Sequence, residues 1–202
     1  MQHLLEQTIA LHNHLCPRQV LGVRIGMYAA DLLNLELPQV NKRLYTFVET
    51  DGCFADGVAV ATGCWLGHRT MRLLDYGKVA ATFVDTKTGQ ALRIWPSAQS
   101  RELAGHYAEG GGSWQVQLEG YQRMPAAELL EVCEVDLSLC VDAIISRPGV
   151  RVNCAICGEE ILNEREVELN GQLVCLSCAG NTYWRKAAVS RLTTPDDRQA
   201  AR

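Results

Sequence analysis

Two C-x2-C pairs, Cys154-Ala-Ile-Cys157 and Cys175-Leu-Ser-Cys178, stand 17 residues apart near the C-terminal end and admit few structures. Each pair forms a tight knuckle that aims two sulfurs at one point, and two knuckles close a tetrahedron around one ion. Four thiolates suit Zn²⁺ and leave no position open to a substrate, so this zinc is structural. An iron–sulfur cluster or two separate redox pairs are the alternatives. Gly158 after the first knuckle supplies a residue tolerant of positive φ. Asn170-Gly171 offers a hairpin turn between Val167–Leu169 and 173–174. Residues 176–184 suit a short helix. A segment this small needs its metal to fold. The expectation is a zinc-ribbon or treble-clef-like domain over 149–187, entered through Pro148-Gly149, with a flexible tail over 188–202.

The remaining 148 residues are enough for one well-buried domain. Hydrophobic residues make up 48% of the chain, charged residues 21%, and the net charge is −4. No basic cluster offers a phosphate backbone a footprint, which argues against nucleic acid. No apolar run approaches the roughly 18 residues needed to span a bilayer, and Glu6, Gln7 and His12 interrupt the first dozen residues. The expected location is cytoplasmic. Nine cysteines, an odd number, then point to metal or thiol chemistry rather than disulfides.

Apolar spacing predicts a helix ending near His12, a second over Pro17–Leu33, a strand at Leu44–Val48 and a helix closing at Gly63. Thr50 or Asp51 can cap the last of these. Gly22 and Gly26 would let the second helix approach a neighbour closely. Three β-type runs, 71–74, 79–84 and 91–95, read as an antiparallel meander. A helix is expected after Pro96-Ser97, a break at Gly110-Gly111-Gly112, a helical piece over 126–132 and a buried strand over 137–145. The fold class is α+β: an antiparallel sheet with packed helices, over residues 1–148.

Chemistry concentrates in His12-Asn13-His14-Leu15-Cys16-Pro17. Imidazole and thiolate are preferred zinc ligands, and a His beside a Cys is also how a thiol becomes a nucleophile. Pro17 suits the first helical position, leaving Cys16 at the cap, where the helix dipole favours thiolate. Cys53 occupies an equivalent place in the first turn of its helix, flanked by Asp51 and Asp56. Asp56 can orient a ligating imidazole or act as a base; Cys64 reads as a small buried residue. Lys78, in a turn between strands, is either exposed or a partner for an anion.

These residues occur in an order that resembles the E-subunit family of formylmethanofuran dehydrogenase. The resemblance is carried by His12-Asn-His14-Leu-Cys16-Pro17, Leu21-Gly22, Val48-Glu-Thr-Asp51-Gly-Cys53-Phe-Ala-Asp56, Thr62-Gly63-Cys64 and Asp75-Tyr-Gly77-Lys78. Glycine is usual in the family where Asn13 and Arg18 stand, and a Gly-Lys-Gly-Asn-like run where Gly67-His68-Arg69-Thr70 stands. The resemblance implies a dimeric α+β core with a cavity lined by His, Cys and Asp, often followed by a C-terminal zinc finger. Carried over by position, His14, Cys16 and Cys53 are the candidates for a second zinc or another transition metal, with Asp51, Asp56 and Lys78 around them.

Three functions fit. The first is a metal-binding accessory protein associated with a molybdenum- or tungsten-dependent one-carbon or formate enzyme, whose subunits would be its partners. The second is a stand-alone enzyme, in which zinc on His14, Cys16 and Cys53 activates water while Asp51 or Asp56 moves protons, or Cys16 attacks with His12 or His14 as base. The third is a zinc-stapled interaction module. The chain has no dinucleotide glycine fingerprint and no spare cysteine set for an iron–sulfur cluster, which favours the first.

Overall fold

A computed structural model describes residues 1–145 and 147–187. The expected tail over 188–202 lies outside the described residues. The chain divides into two compact units, Met1–Ile145 and Ser146–Arg202.

In the first unit, helices α1 (Gln2–His12) and α2 (Pro17–Leu33) precede strand β1 (Leu44–Val48) and helix α3 (Cys53–Thr62). Strands β2 (Met71–Leu73), β3 (Ala81–Asp85) and β4 (Ala91–Pro96) follow. Then come short helix α4 (Ser100–Leu103), helix α5 (Ser113–Arg123), one-turn helix α6 (Ala126–Leu129), edge strand β5 (Leu130–Glu134) and helix α7 (Val141–Ile145). The five strands form one sheet in the order β2-β1-β3-β4-β5. Every pairing is antiparallel except that of β2, which lies parallel to β1 with Thr46 opposite Met71. This corrects the expected meander: α3 carries the chain back along the sheet, so the next strand must run the same way as β1.

All five residues of β1 and all five of β3 are buried, because both faces of the sheet are covered. On one face Val20, Val23 and Ile25 of α2 and Phe54 and Val58 of α3 form the main core with Leu44, Phe83 and Ile94. On the other, Tyr45, Phe47, Val84 and Ala91 meet Leu137, Val141, Ile144 and Ile145. The apolar run expected as a buried strand over 137–145 therefore ends in a helix that roofs the sheet. Arg69 donates to the carbonyl of Ile145 at 2.6 Å and Arg72 to that of Ile144 at 3.3 Å, meeting carbonyls that a helix end leaves unpaired.

Helices α2 and α3 touch at backbone distance. A Cβ built on Gly22 would lie 2.3 Å from the carbonyl oxygen of Phe54, and one on Gly57 would lie 2.4 Å from that of Gln19. One on Gly26 would meet Ala61 at 2.8 Å. The partners advance together along both helices, so α2 and α3 run in the same direction and their N-termini share one end.

The second unit holds two small hairpins, β6 (Arg151–Asn153) with β7 (Glu160–Leu162), and β8 (Val167–Leu169) with β9 (Gln172–Val174). The β8–β9 turn is Asn170-Gly171, both at positive φ as expected. Residues 176–184 form turns rather than the expected helix. Among its described residues Ile161 and Val174 are the buried apolar side chains, too few to hold a fold without the cysteines.

Candidate metal centre and its cavity

The corner between α1 and α2 is built by Asn13. Its φ of 60° closes α1, with its N–H donating to the carbonyl of Ile9 at 2.7 Å. Asn is the residue after glycine best suited to this left-handed conformation, which accounts for its place where the family usually has glycine. Cys16 is extended at the N-cap of α2 and Pro17 follows at the first helical position. Gln19, fully buried, accepts a hydrogen bond from the N–H of Cys16 at 2.6 Å. That is the returning half of a capping box, and Cys-x-x-Gln is its signal in the sequence.

Cys53 opens α3 after Gly52, which is the N-cap at φ 72°. Neither Thr50 nor Asp51 caps the helix by its side chain, contrary to expectation: positive φ at this cap calls for the glycine. The common direction of α2 and α3 brings both thiols to one end, where Cys16 and Cys53 share a hydrogen bond. Burial first, and then that bond to Cys16, push the Cys53 thiol above its usual range; the charge of Arg18 acts the other way. The dipole-lowered thiol anticipated there is overridden by desolvation.

The ligand atoms of His12, His14 and Cys53 all lie within 4.8 Å of one another. His12, which from the sequence reads only as a base, thus joins the donors, while Cys16 reaches the group through Cys53. Each imidazole is held by an oxygen. Nε2 of His12 is 2.6 Å from Oδ2 of Asp56, and Nδ1 of His14 is 3.0 Å from the carbonyl of His12. A ring nitrogen that donates to oxygen leaves the other as a lone-pair donor, the arrangement usual for metal-binding histidines. The residues present fit a thiophilic transition metal.

Beside these donors opens a cavity of about 940 Å³. His14, Cys16 and Cys53 line one part of it, and Lys78, Trp95, Trp114 and Tyr121 line others. Lys78 is exposed, as its turn position suggested, and at the same time borders the cavity. Asp51 is exposed and is not part of the lining; Cys64 is fully buried and donates to the carbonyl of Leu44 at 3.4 Å. Sequence reasoning missed Arg18, Arg93 and Arg101 as lining residues, since three separate elements bring them together. Arg24 of α2 fastens the cavity wall by donating to the carbonyls of Tyr121 at 2.7 Å and Met124 at 2.6 Å, at the end of α5.

In the second unit the sulfurs of Cys154, Cys157, Cys175 and Cys178 lie within 4.8 Å of one another. The N–H of Cys175 donates to the sulfur of Cys154 at 3.3 Å, and that of Cys178 to the sulfur of Cys175 at 3.4 Å. The backbone N–H groups of Cys157 and Cys175 hold the Cys154 thiol down to about 6. The hydrogen bond with Cys175, followed by burial, pushes Cys178 up to about 12. Four sulfurs this close do not ionise together without a cation, and a divalent ion removes the conflict.

Comparisons with known proteins agree with both units. The model of the family described as "FmdE, Molybdenum formylmethanofuran dehydrogenase operon" matches residues 11–142. That of the "Prokaryotic dksA/traR C4-type zinc finger" matches 148–182, which makes the four-cysteine cluster a zinc-finger site. A "Probable S-adenosyl-L-methionine-binding protein" of Archaeoglobus fulgidus is 29% identical over 204 residues, covering 91% of this chain and 54% of its own length. The chain thus spans about half of that curated relative. A crystal structure of an FmdE-like protein of tungsten formylmethanofuran dehydrogenase, from Syntrophus aciditrophicus, matches with a TM-score of 0.56. Its identity is 21%, and the match covers 91% of this chain and 94% of that one. At that identity it speaks for the fold.

Proposed function

Since the chain belongs to the FmdE family, we propose that it is a metal-binding accessory protein whose core holds a zinc or other transition-metal ion at the mouth of a ligand cavity. His12, His14 and Cys53 would hold the ion, with Cys16 beside them. A metal so bound supplies a Lewis acid with a position facing the cavity. Asp56 fixes the His12 ring, Gln19 fixes the backbone of Cys16, and Lys78 supplies positive charge at the rim. The observation that carries the reading is the gathering of three ligand atoms within 4.8 Å, two of them from imidazoles already oriented by oxygen acceptors.

The association we propose, following the family's description, is with a molybdenum- or tungsten-dependent one-carbon or formate enzyme. A homodimeric state and a cytoplasmic location belong to the same proposal. Among the described residues no helix is long and apolar enough to cross a membrane. Metal counting by plasma mass spectrometry tests the core site: two zinc ions per chain in the parent, and one in the Cys53→Ser variant, which keeps the finger. A parent with one ion per chain, or a Cys53→Ser variant with the parent's full content, overturns it.

A further inference from the structure

The cavity beside the thiols carries charge of one sign. Arg18, Lys78, Arg93 and Arg101 line it and no aspartate or glutamate does, in a chain whose net charge is −4. Arg93 is already committed. It makes two hydrogen bonds to the buried Glu49, at 2.6 and 2.7 Å, and its guanidinium carbon lies 4.9 Å from the centroid of a Trp95 ring. Arg18, Lys78 and Arg101 form no ion pair among the described residues. Three uncompensated positive charges around one concavity repel one another, and an anion entering it relieves that repulsion.

Size and lining narrow the ligand. A volume of about 940 Å³ is near the upper end of small-molecule sites, about 300–1,000 Å³, and far exceeds an inorganic ion. Trp95, Trp114 and Tyr121 line the same space, giving planar apolar surface for a ring to stack on. Two guanidinium forks and an ammonium match phosphate oxygens in number and charge better than a single carboxylate.

We infer that the cavity binds a phosphorylated planar heterocycle of nucleotide size. Its phosphates lie among Arg18, Lys78 and Arg101, its ring rests against Trp95 and Trp114, and its remaining end faces Cys16 and Cys53. The inference deepens the metal-centre proposal and rests on it only for which end of the ligand faces the thiols.

Calorimetric titration of the full zinc-loaded chain with ADP, inorganic pyrophosphate and adenosine tests it. ADP should bind once per chain, compete with pyrophosphate and exceed adenosine at least about tenfold in affinity. The Arg18→Ala/Arg101→Ala double variant and Lys78→Ala should each weaken ADP by about tenfold. Lys87→Ala, outside the cavity, should leave it unchanged. ADP no tighter than adenosine, ADP indifferent to the cavity variants, or neither ADP nor pyrophosphate binding at about 1 mM, overturns the inference. The metal content of the same samples separates the two proposals. Core zinc retained without ADP binding overturns this one alone, and ADP binding by a chain with zinc only in its finger overturns the other alone.

Discussion

The imidazole of His12 and the carboxylate of Asp56 meet at 2.6 Å, joining the last residue of α1 to the first turn of α3. This contact sets the direction in which His12 presents its second ring nitrogen. Removing an outer partner of a metal-binding histidine typically costs 10–100-fold in metal affinity. Asp56→Asn should therefore keep the fold and lower the zinc affinity of the core site by about tenfold. Competition with a chromophoric chelator measures it, and an affinity equal to the parent's would remove Asp56 from the site.

The glycine contact between α2 and α3 predicts a stability effect. Gly57→Ala pushes a methyl group to 2.4 Å from the carbonyl of Gln19, where backbone has to give way. A loss of about 3 kcal/mol is expected in urea unfolding. Gly67→Ala, with open space and an ordinary φ, should stay within about 0.5 kcal/mol of the parent.

Asp85 gives a pH-dependent prediction. Its buried carboxylate accepts from Arg43 at 2.9 and 3.2 Å and from the N–H of Lys87 at 3.0 Å. The Arg43 guanidinium holds the carboxyl below its usual range. The unfolded chain then binds the proton more readily than the native one. The contribution is whole above about pH 5 and fades as pH falls through the folded value. Asp85→Asn should cost about 1–3 kcal/mol at neutral pH, with the gap to the parent narrowing on acidification. A gap that stays constant down to the parent's acid unfolding would contradict this.

For the finger, Cys154→Ser should remove one zinc ion per chain and expose the segment after Pro148 to limited proteolysis. Chelation of the parent should do the same and be reversed by added zinc. Unchanged protease resistance would contradict a metal-held fold.

Much of this architecture is legible locally. Pro17 and Asn34 bracket α2, Gly63 closes α3, and Asn170-Gly171 turns the β8–β9 hairpin, because each is a statement about one residue's backbone. Helix α5 is not legible. Gly110-Gly111-Gly112 precedes it, and its own Gly120, which looks like a breaker, fits against Ala104, where a Cβ would lie 2.5 Å from the carbonyl oxygen. The expected helix over 126–132 lasts only to Leu129, since pairing with β4 captures the chain at Leu130. In the site, the His and Cys residues announce themselves by type. The cationic lining does not, because Arg18, Lys78 and Arg101 sit on separate elements and only packing gathers them.

The missing side chains at Gly22 and Gly57 matter for more than stability. Cys16 and Cys53 ride on the starting turns of two rods pressed together at those glycines, so the spacing of the rods governs the gap between the sulfurs. The coordination sphere of a core ion is thereby adjustable from a distance: a single methyl group added at that seam would pry the donors apart while leaving every ligand in place.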